Sequence, residues 1–175
     1  METSKRKYWF ILPVFLVLLV LTILFFALPS HDRFGKNHPI PDGLEFSLPL
    51  DSNSTAHVDT LNSNTYLAVW NGIQGGIYKY DFYYGPLPAG EIFLRCFEAT
   101  ENIPLSVDEI EERSKVAIDS TSTFTKLIDK QEFSIYEGEW EDYYAARIEV
   151  WFRDSATKQE KKLLEKVYRV EGWMR

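Results

Sequence analysis

The stretch SIYEGEWEDYYAARIEVWF, Ser134 to Phe152, sets Glu137, Glu139, Glu141, Asp142 and Glu149 among the rings of Tyr136, Trp140, Tyr143, Tyr144, Trp151 and Phe152. Paired carboxylates are the working groups of glycoside hydrolysis. One serves as a general acid, and the two stand about 5–5.5 Å apart for retention or about 6.5–9.5 Å for inversion. Glu137 and Glu139 meet the wider spacing if they share a strand face, where alternate residues lie about 7 Å apart. Any strand with acids two apart meets it equally, and a solvated acidic turn explains the same residues. No catalytic residue is therefore assigned, and carboxylate-dependent glycan hydrolysis stands as the alternative.

The rings offer a second chemistry. An exposed Trp or Tyr stacks on a sugar ring or anchors a protein partner. Trp140, Tyr143, Tyr144 and Trp151 are the expected contact residues, with Glu139 and Glu141 as polar neighbours. Over Arg147–Arg153, alternation places Ile148, Val150 and Phe152 on one face and Arg147, Glu149, Trp151 and Arg153 on the other. If the first face is core, Trp151 stands among charges, where Arg and Glu stems can also pack over it.

Other chemistries lack their residues. The three histidines are His31, His38 and His57, and none lies between Val58 and Arg175. A Ser-His-Asp or Cys-His site needs an imidazole on a rigid scaffold, and most zinc sites need one too. Cys96 is the single cysteine, so neither an internal disulfide nor a Cys₄ site can form. In IFLRCFEA it reads as a small core hydrophobe, with Arg95 directed to the opposite strand face. There is no phosphate-binding GxxxxGK[ST] or GxGxxG loop, and GIQGG is a turn. The acids near Glu139, or Asp51 with Asn53, lack the ordered alternation of an EF-hand loop. Neither metal nor cofactor is expected.

The elements that must position these residues are mostly strands. GLEFSLPL alternates Leu44, Phe46, Leu48 and Leu50 against Glu45 and Ser47, the two-residue period of a half-buried strand, and Pro49 places it at an edge. Thr65–Trp70 and Ile77–Tyr84 flank the turn signal Asn71-Gly72, with Tyr78, Tyr80, Phe82 and Tyr84 sharing one face. Further strands are expected over 91–97, 116–118, 132–136, 145–153 and 163–171. Ser106 and Glu109 have the spacing of a capping box ahead of one short helix. Seven or eight short strands at regular spacing predict a mainly β protein: a single antiparallel β-sandwich-like domain with one short helix.

The N-terminus is different in kind. Lys5, Arg6 and Lys7 precede an uncharged run, Tyr8 to Leu28, interrupted only by Pro13 and Thr22. As a helix this run reaches about 32 Å, enough to cross a hydrocarbon core of about 30 Å. A signal peptide has a shorter apolar region, and placing Ala27 three residues before a cut puts Pro29 at the cut. The expectation is an uncleaved, single-pass transmembrane helix with a cytoplasmic N-terminus set by the basic cluster. The layout is then a basic tail over 1–7, an anchor over 8–28, a tether over 29–42 and an extracytoplasmic β domain over 43–175. Without Glu2, Lys5, Arg6 and Lys7 the chain has 16 basic and 25 acidic residues, a net of −9. That balance disfavours nucleic acid, which is bound by cations that displace counterions.

The stretches YDFYYGPLPAGEIFLRCFEATENIPLS, FSIYEGEWEDYYAARIEVWF and LLEKVYRVEGWMR resemble a family of small uncharacterised bacterial proteins with an N-terminal membrane segment and a β-rich C-terminal domain. The resemblance covers about 78–175 and implies an inner-membrane anchor with a periplasmic domain. It implies no activity, ligand or catalytic residue. The sequence is thus read as a non-catalytic binding or assembly module for a protein or glycan partner. An immunity-type module that neutralises a toxin or an envelope enzyme is a further alternative.

Overall fold

The computed structural model describes residues 11–27, 33–51, 65–120 and 126–173. The basic tail 1–7, residues 8–10 and 28 of the expected anchor, 29–32 of the tether and 52–64 of the polar loop lie outside them, His31 and His57 included. The chain divides into two units, Met1–His31 and Asp32–Arg175.

In the first unit, α1 covers Ile11–Ala27, 17 residues without a charge. Its one hydroxyl is satisfied within the helix, Thr22 Oγ1 donating to Leu18 O at 2.8 Å. Seventeen residues rise about 26 Å, short of the roughly 30 Å of a hydrocarbon core. Among the described residues no helix is long and apolar enough to cross a membrane.

The second unit is mainly β. In chain order it comprises α2 (Phe34–Asn37), β1 (Tyr66–Asn71), β2 (Ile77–Tyr84), β3 (Gly90–Glu98), β4 (Pro104–Leu105), α3 (Val107–Ser114), β5 (Val116–Ile118), β6 (Lys126–Ser134), β7 (Tyr144–Asp154) and β8 (Glu160–Val170). One antiparallel sheet runs β1-β2-β6, and the other runs β4-β3-β7-β8 with β5 also on β3. Alternation explains why they share a core: Tyr78, Tyr80, Phe82 and Tyr84 from β2 are all buried, as are Ile148, Val150 and Phe152 from β7. Burial pushes the Tyr78, Tyr80 and Tyr168 hydroxyls well above their ordinary pKa, and each still finds a backbone carbonyl to donate to.

Two devices close the space between the sheets. On β3, Ile92 pairs with Val116 and Cys96 with Leu105, so β4 and β5 form one edge strand that α3 interrupts. Ile110 and Ser114, one helical turn apart, are fully buried. Tyr80 of β2 donates to Ser114 O at 2.7 Å and Gln131 of β6 to Arg113 O at 2.7 Å. On the other side, 46–50 is a strap and not a strand. Ser47 bridges β8 through Val167 O and the Arg169 N–H, and Leu50 bridges β1 through Val69 O and the Asn71 N–H. Pro49 has no N–H to continue a ladder between the two bridges. The expected single apolar face is lost, because Phe46 and Leu48 are exposed while Leu44 and Leu50 are half-buried.

Three further expectations change. Ser106 makes no capping bond, and its backbone is left-handed at φ 41°. Its side chain serves Glu137 instead. The β1–β2 connection spans Gly72–Gly76, wider than the Asn71-Gly72 signal suggested, and a Cβ on Gly76 would lie 2.2 Å from Trp173 N. Residues 33–42, expected as tether, rest on the domain: the Phe34 ring packs edge-on against Tyr144 at 5.0 Å, and a Cβ on Gly35 would meet Asp142 O at 2.5 Å.

Candidate functional site

The acidic, aromatic stretch that follows β6 is a loop locked in place by the C-terminal segment. Ile135 donates to Gly76 O and accepts from the Trp173 N–H, both at 2.8 Å. Gly172 lies against this loop so closely that a Cβ would approach Glu137 O to 2.1 Å. Glu137 is held by the start of α3: Ser106 donates its N–H to Oε1 at 2.8 Å and its hydroxyl to Oε2 at 2.7 Å. The same Ser106 Oγ accepts the Tyr136 N–H at 2.9 Å. Both oxygens of Glu137 are therefore engaged in joining α3 to the loop. Neither Glu137 nor Glu139 lines the hollows described below.

The expected contact residues separate. Trp140 and Tyr143 are exposed, at 46% and 39%. Tyr144 is fully buried and donates its hydroxyl to Glu137 O at 2.7 Å, so it presents nothing to a partner. Trp151 is covered. Its Nε1 donates to Glu149 Oε2 at 2.8 Å, and the Arg95 guanidinium lies 4.9 Å from its ring centre. Packing of charged stems over the ring is thus what the structure shows there. Glu139 is half-buried, and Glu141 is exposed with its N–H donated to Glu171.

Burial would raise the Glu149 carboxyl. Donors from Trp151, Lys162 and Arg147 outweigh it and hold the group below the usual carboxylate range. Beyond it, Arg95 and Arg153 share Glu111 and Glu160 across the outer sheet face and flank the ring of buried Phe93. Arg and Glu side chains finish this part of the face.

Trp140 and Tyr143 border a different feature. Two hollows of about 430 and 590 Å³ meet where Tyr143 and Arg169 line both. The Arg169 guanidinium stacks over the Tyr143 ring at 4.0 Å from its centre. Leu48, Tyr78 and Glu171 contribute to the first hollow, Phe46 and Asp142 to the second. Trp140 packs on Gly75 at the rim. Among the described residues of this unit, seven large apolar side chains are exposed, and four of them, Phe46, Leu48, Trp140 and Tyr143, line these hollows or pack at their rim.

Phe46, Leu48 and Arg169 escaped sequence reasoning. Alternation assigned the first two to the core, and the sequence near Arg169 is an ordinary amphipathic strand. His38 is the one described histidine, half-buried against Phe34 at 4.3 Å with its Nε2 3.6 Å from Glu101. No group of three or more metal-binding side chains occurs among the described residues. No family model matches this chain, and no curated protein or solved structure does.

Proposed function

We propose that the chain is a non-catalytic binding module for a protein or glycan partner, held at a bacterial inner membrane by residues 8–28 and facing the periplasm. The observation that carries the binding reading is the gathering of four exposed apolar side chains, Phe46, Leu48, Trp140 and Tyr143, around the hollows at Tyr143 and Arg169. Hollows of this size lined by rings and a few polar groups are common ligand sites. Anchoring is supported by α1, whose apolar surface runs all round, with Val14–Leu21 exposed and the sole hydroxyl turned back on the helix. The basic cluster ahead of it favours a cytoplasmic N-terminus.

Two measurements test the proposal. Protease shaving of spheroplasts should degrade the domain from outside, and a protected domain refutes the orientation. Co-purification and glycan-array binding of the full chain should fall at least tenfold in W140A/Y143A and stay unchanged in W151A. Equal signals in all three proteins refute the placement of the site.

A further inference from the structure

We infer that Arg169 is a carboxylate-binding residue, and that the ligand of the hollows carries a single carboxylate beside an apolar or ring-shaped body. The other arginines within the strands are neutralised. Arg95 pairs with Glu111 and Glu160, Arg147 with Glu149, and Arg153 with Glu111 and Glu160. Arg169 has no carboxylate partner among the described residues. Register supplies the reason: Ala145 stands opposite it on β7, and Ser47 of the strap occupies its other side. In a chain of net charge −7, Arg169 is thus a half-buried arginine with no paired acid among the described residues.

Its setting suits a ligand. Stacking on Tyr143 fixes the guanidinium plane at little further entropic cost, and the hydrogen bond from Arg169 N–H to Ser47 O, 3.0 Å, fixes the backbone. The N–H edge of a guanidinium is a rigid fork that matches a carboxylate bidentately. Three of the acids lining the hollows already accept amide hydrogens: Asp51 from Asn71, Asp142 from Lys36 N and Glu171 from Glu141 N. With exposed Asp42 they outnumber the lining cations Lys36 and Arg169, so the surround repels a polyanion far more strongly than a ligand whose one carboxylate seats on the arginine. Leu48, Phe46 and the rings then receive the body of the ligand. A peptide C-terminus and a sugar acid share this chemistry.

This inference rests on the proposed function only in using the same hollows. The test is titration of the full chain in detergent micelles, followed at the Arg169 Nε–H and Tyr143 ring resonances. The probes are N-acetyl-phenylalanine, its primary amide, and glucuronate. N-acetyl-phenylalanine should saturate with a Kd of about 1 mM, the range open to a fragment of its size. The amide should bind at least tenfold more weakly. R169Q should lose the preference for acid over amide, while R169K, which keeps the charge without the fork, should retain part of it. Glucuronate binding as tightly identifies an acidic sugar as the source; much weaker binding identifies a peptide terminus. Equal binding of acid and amide, a preference that survives R169Q, or shifts confined to other residues overturns the inference. Failure here with partner capture still lost in W140A/Y143A leaves the proposed function standing. Carboxylate binding without any captured partner does the reverse.

Discussion

The Leu94 N–H donates to Ser114 Oγ at 2.8 Å, across the gap where α3 interrupts the edge of the sheet. β4 and β5 pair with β3 on either side of this point, so Ser114 replaces the missing strand partner. Its hydroxyl also donates to Ile110 O at 2.5 Å. S114A removes the acceptor and leaves the Leu94 amide buried without a partner. The expected cost is about 1–3 kcal/mol, the penalty of an unsatisfied buried group. Urea unfolding should show a lower midpoint at an unchanged slope. An unaltered midpoint shows that water reaches Leu94.

Glu137 distinguishes a structural acid from a catalytic one. Each of its oxygens accepts from Ser106, so Glu137→Gln turns an NH₂ group toward a donor and loses one bond. We expect it to destabilise the fold by about 1–3 kcal/mol, and Ser106→Ala to lose a similar amount. Because both variants disturb the same bond between Ser106 Oγ and Glu137 Oε2, the double variant should cost less than the sum. A fully stable Glu137→Gln that abolishes sugar release would support the hydrolase reading.

These two serines show where sequence reasoning stops. Ser106 sits three residues before Glu109, the spacing of a local cap, but a carboxylate 31 residues away wins its hydroxyl. Local pattern cannot rank a partner that the fold delivers. The tyrosine row of β2 was legible because a two-residue period there coincides with burial on the inner face. The same period in the strap misled, since alternation says which residues share a face and not which way the face turns. Trp151 was legible as a ring among charges. Arg169 was not, because its isolation depends on Ala145 and Ser47 standing beside it in the sheet.

The pH dependence of stability should depend in part on Glu149. Its folded carboxyl lies below the ordinary value, held there against burial by Trp151, Lys162 and Arg147. A depressed folded pKa stabilises the native state above the unfolded pKa, about 4.3, and that contribution fades as pH falls through the folded value. Between about pH 5 and 3 the wild type should therefore lose more stability than E149Q, which is the weaker protein at pH 7. Parallel pH profiles of thermal midpoint remove Glu149 from acid unfolding.

Cys96 supplies a probe of global opening. It is 2% exposed in β3, and burial raises its thiol far above the ordinary range, with Glu137 and Glu149 adding to the effect. Labelling by a thiol reagent at pH 8 should be at least ~10³-fold slower in the native protein than in urea, since it waits on opening of a core strand. Rapid native labelling shows that β3 opens locally at the β4 edge.

Trp140 and Trp151 should answer opposite experiments, although sequence placed them in one surface. The Trp151 ring is sandwiched into the outer sheet face beneath Arg95, and its indole N–H satisfies one oxygen of a carboxylate that is itself buried. W151A removes that donor from Glu149 together with the ring's packing, and should cost about 2–3 kcal/mol of unfolding free energy. Trp140 has its ring edge on Gly75 and nearly half its surface in solvent. W140A should therefore change stability by no more than about 1 kcal/mol. Denaturant midpoints of the two variants decide the point. If W140A proves the more damaging, its ring is holding the Gly72–Gly76 loop against the C-terminal segment, and the exposed rim around Tyr143 and Arg169 is a brace of the fold instead of a docking surface.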